Sequence, residues 1–423
     1  MELQLPKGTR DFSPQEKIMR DKIVATLKEV FELYGFAPLE TPILERYEVL
    51  SSKYAGGAEI LKETFKLKDQ GDRELGMRYD LTVPLARFVG MNPWLKMPFK
   101  RYQIGEVFRD GPIAMGRYRQ FSQCDIDVIG SASLATDAEL LSMIYLALSK
   151  LGFKSTIKIN SRKLLNDVLD YCGITKKKQE NAILSIDKIE KFGIGLVKEE
   201  LMKQKIDEDK IGKIVNIMSI KGTNENKIAQ LKNLLKKSDG LDEIIAILDC
   251  MKNYNVDVDF DVSLARGLSY YTGTVMETFL ADSDVKSAVC SGGRYDSMIG
   301  SFLGKERVPA VGISFGLDRL YDAMLEKKES VEKTTARIFV IPIKTINESI
   351  KIANRLRIDG INADLDLNDK GISKNLEYAN SLGIPYVLFV GKKELSEGKV
   401  KLRDMKTGKE LMVKVEEVRE NID

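Results

Sequence analysis

The chain of 423 residues contains no histidine, a single tryptophan, four cysteines and eleven prolines. At an ordinary abundance of roughly 2%, about eight or nine histidines belong in a chain of this length. Their absence excludes Ser-His-Asp and Cys-His nucleophiles, zincin helices and every histidine-ligated metal or haem. No imidazole of the protein can act as a general base near neutral pH. Cys124, Cys172, Cys250 and Cys290 stand far apart and form no CxxC pair, which speaks against zinc and against a disulfide framework, and fits a reducing cytosol. The opening MELQLPKGTRDFSP lacks the basic-then-apolar pattern of a signal peptide, and the run from Leu140 to Ser149 is too short to span a bilayer. A cytoplasmic protein with no membrane partner is expected. Charge of one sign is also lacking: 66 Lys+Arg against 63 Asp+Glu leave +3, so nucleic-acid contact would rest on local patches. Neither a P-loop nor a GxGxxG following a strand occurs, so a nucleotide would need another cradle.

The rest of the composition is that of a globular protein, 43% hydrophobic and 30% charged, with length for two to four domains. Ser13-Pro14-Gln15-Glu16 announces a helix through a capping box with Pro at the first helical position. Ile23, Val24, Leu27, Val30, Phe31 and Tyr34 form its apolar face, and Gly35 ends it. LETPILERYEVL then reads as extended. MRYDLTVPLARFV, KRYQIGEVF and YRQFSQCDIDVIG, between Met77 and Gly130, read as antiparallel strands, followed by a helix from Ala135 to Lys150 and a strand from Ser155 to Ile159. Residues 161–254 are Lys-rich, free of proline and helical in period, a helical insertion, because β-rich text resumes at Val256 with VDVDFDVSLARGLSYYTGTVMET. SGGRYDSMIG reads as a glycine turn into a helix, and VPAVGISFGLDRLYDAML as a strand running into an amphipathic helix. The polar stretch 326–335 reads as a linker. Beyond it, strands alternate with helices as in a compact α/β domain ending in a hairpin and a helix.

Six arginines, Arg109, Arg117, Arg119, Arg266, Arg294 and Arg319, lie in or beside these strand-like segments, most with Gly or aromatics close by. A planar guanidinium suits carboxylate and phosphate and stays charged when partly buried. The arginines therefore point to a polyphosphate or carboxylate site, with surface ion pairs as the plain alternative.

PKGTRDFSP, MRYDLTVP, FRDGPIAMGRYRQFSQCDIDVIG, ARGLSYYTGTV, SGGRYDSMIG and PAVGISFGLDRL, in this order, resemble the histidyl-tRNA synthetases, a family of class II aminoacyl-tRNA synthetases, and the resemblance covers nearly the whole chain. It implies an α+β multidomain protein with an antiparallel-sheet catalytic domain. That domain would comprise residues 1–160 (motifs 1 and 2) and 255–325 (histidine-specific segments and motif 3), interrupted by the helical insertion 161–254. The linker 326–335 would lead to a C-terminal α/β anticodon-binding domain, 336–423. The implied activity is ligation of histidine to tRNA(His) through a histidyl-adenylate, with ATP as substrate, Mg²⁺ on its phosphates, and a homodimer built on the segment from Ser13 to Pro42. By resemblance Arg109 grips the α-phosphate, Phe121 stacks on adenine, Arg117 meets the γ-phosphate, and Arg319 covers adenine and the terminal phosphate. Arg266 would bridge the substrate carboxylate and the α-phosphate. Asp80, Thr82 and Gln123 would hold the α-ammonium, and Asp127 and Tyr271 the imidazole. Tyr270 is placed beside them, although it and Tyr295 also read as core aromatics. Asp127 reads alternatively as a strand carboxylate pairing a nearby Arg. The chain departs from many members at Asp80, where Glu is common, and at Gly111, where an acidic residue is common. A non-catalytic histidine-binding paralogue, the regulatory subunit of ATP phosphoribosyltransferase, shares the catalytic domain; the C-terminal α/β segment and the intact arginines argue against it. Synthesis of such an enzyme without histidine would not consume the charged tRNA that it makes.

Overall fold

A computed structural model describes residues 3–52, 61–113, 117–267, 270–327 and 332–422. The chain forms two compact units, residues 1–10 with 23–327 and residues 11–22 with 328–423. The first helix, Pro14–Leu33, opens on the expected cap: Ser13 N donates to the Glu16 carboxylate at 2.7 Å and Glu16 N to Ser13 Oγ at 3.4 Å. Gly35, at φ +75, lets the chain turn away.

The strands of the first unit, in chain order, are β1 (Ala37–Pro38), β2 (Leu44–Arg46), β3 (Lys66–Lys68), β4 (Glu74–Met77), β5 (Phe99–Phe108) and β6 (Gln120–Ile129), then β7 (Ser155–Ser161), β8 (Asp259–Phe260), β9 (Thr274–Leu280), β10 (Cys290–Arg294) and β11 (Ala310–Gly316). Eight of them make one sheet in the order β1-β5-β6-β11-β10-β9-β7-β8, and β2-β4-β3 make a small second one. Within the large sheet every pairing is antiparallel except at its two edges. One face packs on Phe31, whose ring lies 5.6 Å from Tyr102 and 5.9 Å from Phe315. β7 and β8 pair directly, Lys158 opposite Asp259, and the six helices between Arg162 and Tyr254 leave and rejoin the sheet at that edge. They carry an apolar interior of their own, with Leu164, Val168, Ile183, Leu201, Ile214 and Ile244 buried.

Four sequence expectations are corrected in this unit. MRYDLTVPLARFV is not a strand beyond Met77, because Thr82–Met91 is helical. Its apolar residues Leu81, Leu85 and Val89, with Val83 and Ala86, recur at helical spacing. Pro84 falls in the first turn, where a missing N–H costs nothing, and Asp80 Oδ1 accepts from Val83 N at 3.0 Å. Tyr47–Leu50, at the end of the extended segment, is one helical turn. ARGLSYYTG forms no strand among its described residues, and β9 begins only at Thr274. SGGR is strand β10 rather than a turn. A Cβ on Gly292 would sit 2.1 Å from Gly312 O, so glycine lets two neighbouring strands lie close. Gly292→Ala should therefore lower the thermal unfolding midpoint, by overpacking of about 1–3 kcal/mol, in a melt followed by circular dichroism. Part of the expected linker, residues 328–331, lies outside the described residues.

In the second unit β12 (Ile338–Ile343), β13 (Ala363–Leu365), β14 (Tyr386–Gly391), β15 (Val400–Asp404) and β16 (Glu410–Val413) form one sheet in the order β13-β12-β14-β15-β16. The first three strands are parallel and the last two form an antiparallel hairpin. Alternation on β12 sends Ile338 and Val340 to a core with Ile352 and Leu356 of helix Ile346–Ile358. Phe339 and Ile341 go to a second core with Ala379 of helix Ile372–Leu382. The expected terminal helix is only two 3₁₀ turns, Val415–Glu417 and Arg419–Asn421.

Candidate active site

A cavity of about 540 Å³ lies on the large sheet, and all eleven residues expected from the sequence line it: Asp80, Thr82, Arg109, Arg117, Phe121, Gln123, Asp127, Arg266, Tyr270, Tyr271 and Arg319. The sheet register explains much of this. Phe121, Gln123 and Asp127 are alternate residues of β6, so they share a face. Gly312 and Gly316 of β11 lie opposite Asp127 and Gln123. A Cβ on Gly312 would fall 1.9 Å from Asp127 Oδ1, so the carboxylate fills space that glycine leaves.

Four guanidinium groups line the cavity. Arg109 follows β5, donates from Nε to Tyr79 O at 3.1 Å, and sits 5.0 Å from the centre of the Phe121 ring. Arg266, in the loop before β9, pairs with Glu277 and lies 5.9 Å from the Tyr271 ring, with its Nε buried and without a partner. Arg319, in helix Leu317–Glu326, donates to Ala288 O. Burial, with Arg266 and Arg109 adding to it against Glu277, lowers its affinity for a proton. Arg117 is half-exposed and donates to Glu63 at 2.6 Å.

The other part of the lining is acidic and buried. Asp80 holds the N-terminus of helix Thr82–Met91, and burial raises its pKa against the pull of the Val83 amide and Arg109. Burial likewise raises Asp127, opposed by Arg101 and Tyr295. Tyr295 Oη–H donates to Asp127 Oδ1, and the completely buried Arg101 ion-pairs with Oδ2 at 2.6 Å without a hydrogen bond to it. Asp127 thus lines the cavity and is also paired with an Arg. Gln123 Nε2 donates to Ser314 Oγ at 3.1 Å, which leaves Oε1 buried and without a donor.

Two of the six arginines do not line the cavity. Arg294 is locked in a buried pair with Asp137 at 2.6 Å, and Arg119 pairs with Asp110 at 3.1 Å. Four further residues come to the wall or its rim without having been expected there. Asp125 shares the β6 face, Tyr295 tethers Asp127, and Asp318 receives Arg10 at 2.5 Å. Glu63 is the fourth: a Cβ on Gly111 would meet its carboxylate at 2.7 Å, so an acidic group from a distant segment occupies the space beside Gly111. The alternation from Phe121 to Asp127 contained the signal for Asp125; nothing in the sequence marks Glu63.

With this arrangement in view, comparison with known proteins is decisive. Residues 8–320 match the family model for histidyl-tRNA synthetase, and residues 337–423 match an anticodon binding domain. The chain is 44% identical to histidine–tRNA ligase 1 of Bacillus cereus, over 100% of its own length and 97% of that protein. The chain belongs to the histidyl-tRNA synthetase family. Histidine–tRNA ligase 2 of Shouchella clausii is 40% identical over 96% of both chains. The crystal structure of histidyl-tRNA synthetase from Nostoc superposes with a TM-score of 0.89 at 31% identity, covering 100% of both chains. The family's mixed α+β architecture, with its antiparallel-rich sheet and an anticodon-binding domain at the C-terminus, is the architecture of this chain. No helix among the described residues is long and apolar enough to cross a membrane.

Among the described residues no cluster of three Asp, Glu, Cys or His could cage a metal. Mg²⁺ is ordinarily carried by substrate phosphates with one or two carboxylates.

Proposed function

We propose that this family member is a histidine–tRNA ligase, which activates histidine with ATP and transfers it to tRNA(His). One observation carries this reading: a single cavity gathers four guanidinium groups together with buried carboxylates and an orphaned amide oxygen. A zwitterionic amino acid and a polyanionic nucleotide need both signs of charge.

Arg266 would hold the histidine carboxylate against the α-phosphate, and Arg109 would neutralise charge developing there. A carboxylate oxygen of histidine attacks the α-phosphorus in line, the bond to the β-phosphate oxygen breaks, and pyrophosphate leaves. The 3′-terminal ribose hydroxyl of the tRNA then attacks the adenylate carbonyl, AMP leaves, and an adenylate phosphate oxygen takes the hydroxyl proton. A protein without histidine can run both steps. Phe121 would stack on adenine, with Arg319 over its other face and Arg117 on the γ-phosphate once it leaves Glu63. Asp80, Thr82 and Gln123 would receive the α-ammonium. Asp127 and Tyr271, with Tyr270 beside them, would enclose the imidazole, whose one donor and one acceptor nitrogen need unlike partners. Mg²⁺, carried on the phosphates, would screen their charge.

Residues 161–254 would act as an insertion within the catalytic domain, and residues 336–423 would read the tRNA. A homodimer through the segment from Ser13 to Pro42 is supported by the exposed Leu33, and by Ile43 and Leu44 just beyond it. A cytoplasmic location follows from the substrates. The test is ATP–pyrophosphate exchange across the twenty amino acids: histidine alone should support it. Histidine binding without exchange would instead favour the regulatory paralogue.

A further inference from the structure

Asp125 lies between Gln123 and Asp127 on the cavity face of β6, with only 3% of its surface exposed. Its neighbours are otherwise committed. Tyr295 donates to Asp127 Oδ1, Arg101 ion-pairs with its Oδ2 without hydrogen-bond geometry, and the Val83 amide takes Asp80 Oδ1. Asp125 receives only the Ser314 hydroxyl, and its Oδ1 has no donor. The same Ser314 Oγ accepts from Gln123 Nε2. One serine therefore orients both side chains and leaves two adjacent acceptors, Gln123 Oε1 and Asp125 Oδ1, unserved.

Buried acceptors without donors are costly unless a ligand completes them. Charge indicates which ligand. Asp80, Asp125 and Asp127 are three buried carboxylates, opposed by the buried Arg101 and, at Asp80, by Arg109, so carboxylates outnumber guanidinium groups in this part of the cavity. An ammonium group supplies one positive charge and three N–H donors. We infer that Asp125 is a further substrate-positioning residue of this site, receiving the α-ammonium of the amino acid together with Gln123 and Asp80. The inference rests on the histidine reading above and adds to it a residue for which the Ser314 relay and the orphaned acceptors are the evidence. It also gives Ser314 a task, holding Gln123 and Asp125 at the spacing of one ammonium.

Three ligands separate the possibilities. Histidine and histidinol carry the α-ammonium; imidazolepropionate carries the imidazole and carboxylate but no ammonium. Binding is measured by calorimetry on wild type, on the isosteric Asp125→Asn and on Asp125→Ala, with KM for ATP in the exchange assay as a check on the rest of the site. Loss of a charge-assisted hydrogen bond should weaken histidine and histidinol by about 10- to 100-fold, more in Asp125→Ala than in Asp125→Asn, which keeps an acceptor oxygen. Imidazolepropionate binding and KM for ATP should change by less than about threefold. Equal weakening of all three ligands would assign Asp125 to the imidazole or to folding, and no weakening of any would make it a bystander; either overturns the inference alone. Wild-type protein that binds none of the three would overturn the histidine reading, and this inference with it.

Discussion

Arg266→Ala should lower the rate of histidine-dependent ATP–pyrophosphate exchange by about 10²- to 10³-fold, the usual cost of removing one preorganised donor from developing charge. The side chain is four-fifths buried against Glu277, and its Nε–H has no acceptor among the described residues, so part of its fork is unspent before substrate arrives. A guanidinium can serve a carboxylate oxygen and a phosphate oxygen at once; an ammonium cannot present the same planar pair. Arg266→Lys should therefore recover charge without recovering the rate, remaining at least tenfold below wild type. Both variants should keep the thermal midpoint near that of the parent, because Arg266 lies in a loop and its ion-pair partner, Glu277, retains some access to water. Single-turnover adenylate formation at saturating histidine and ATP isolates the chemical step. An alanine variant within tenfold of wild type there would remove Arg266 from the reaction.

Alternation within one hairpin makes the local part of this site legible in the sequence itself, whereas Asp80, Arg266 and Arg319, from distant segments, are legible only through the family resemblance. Arg109, Phe121, Gln123 and Asp127 belong to one hairpin, and the alternation of β6 by itself puts three of them on one face. The capping pair Ser13 and Glu16, and the alternating faces of β12, are likewise properties of neighbouring residues. What stayed hidden depends on contacts between distant segments. Arg294 and Arg109 look alike as arginines near strands, and only the placement of Asp137 on another element makes one a buried ion pair and leaves the other lining the cavity. Glu63 beside Gly111, and Arg101 beneath Asp127, are decided by the same long-range packing. The strand reading of MRYDLTVPLARFV fails for a different reason: Val and Phe are common in strands, but Leu81, Leu85 and Val89 recur at helical spacing and Pro84 sits in the first turn of the helix.

The largest effect on stability should come from Arg101→Met, and it should depend on pH. Arg101 is completely buried, donates to Leu81 O at 3.3 Å and pairs with Asp127 at 2.6 Å, yet its Nε and Nη1 have no partner. It is the buried cation that opposes desolvation of Asp80, Asp125 and Asp127, and it also counters the upward push on the Tyr295 hydroxyl. Burial, helped by the like charge of Asp127, pushes Asp125 up to about 7 even with Arg101 present. A carboxyl raised in the folded state contributes stability that is complete below its unfolded pKa of about 4 and lost as pH rises through the folded value. Without Arg101 the folded values of Asp125 and Asp127 rise further, so more of that stability is lost at neutral and alkaline pH. The variant should lie close to wild type at pH 5, where Asp125 holds its proton, and fall behind by about 3–5 kcal/mol at pH 8, the usual cost of orphaning a buried charge. Adding Asp125→Asn to the Arg101→Met variant removes one of the unopposed carboxylates and should restore part of the loss at pH 8 and little at pH 5. Urea melts at the two pH values measure both effects. Equal destabilisation at pH 5 and pH 8 would mean that Arg101 holds the sheet by packing alone and that the three carboxylates do not share it as a counter-charge.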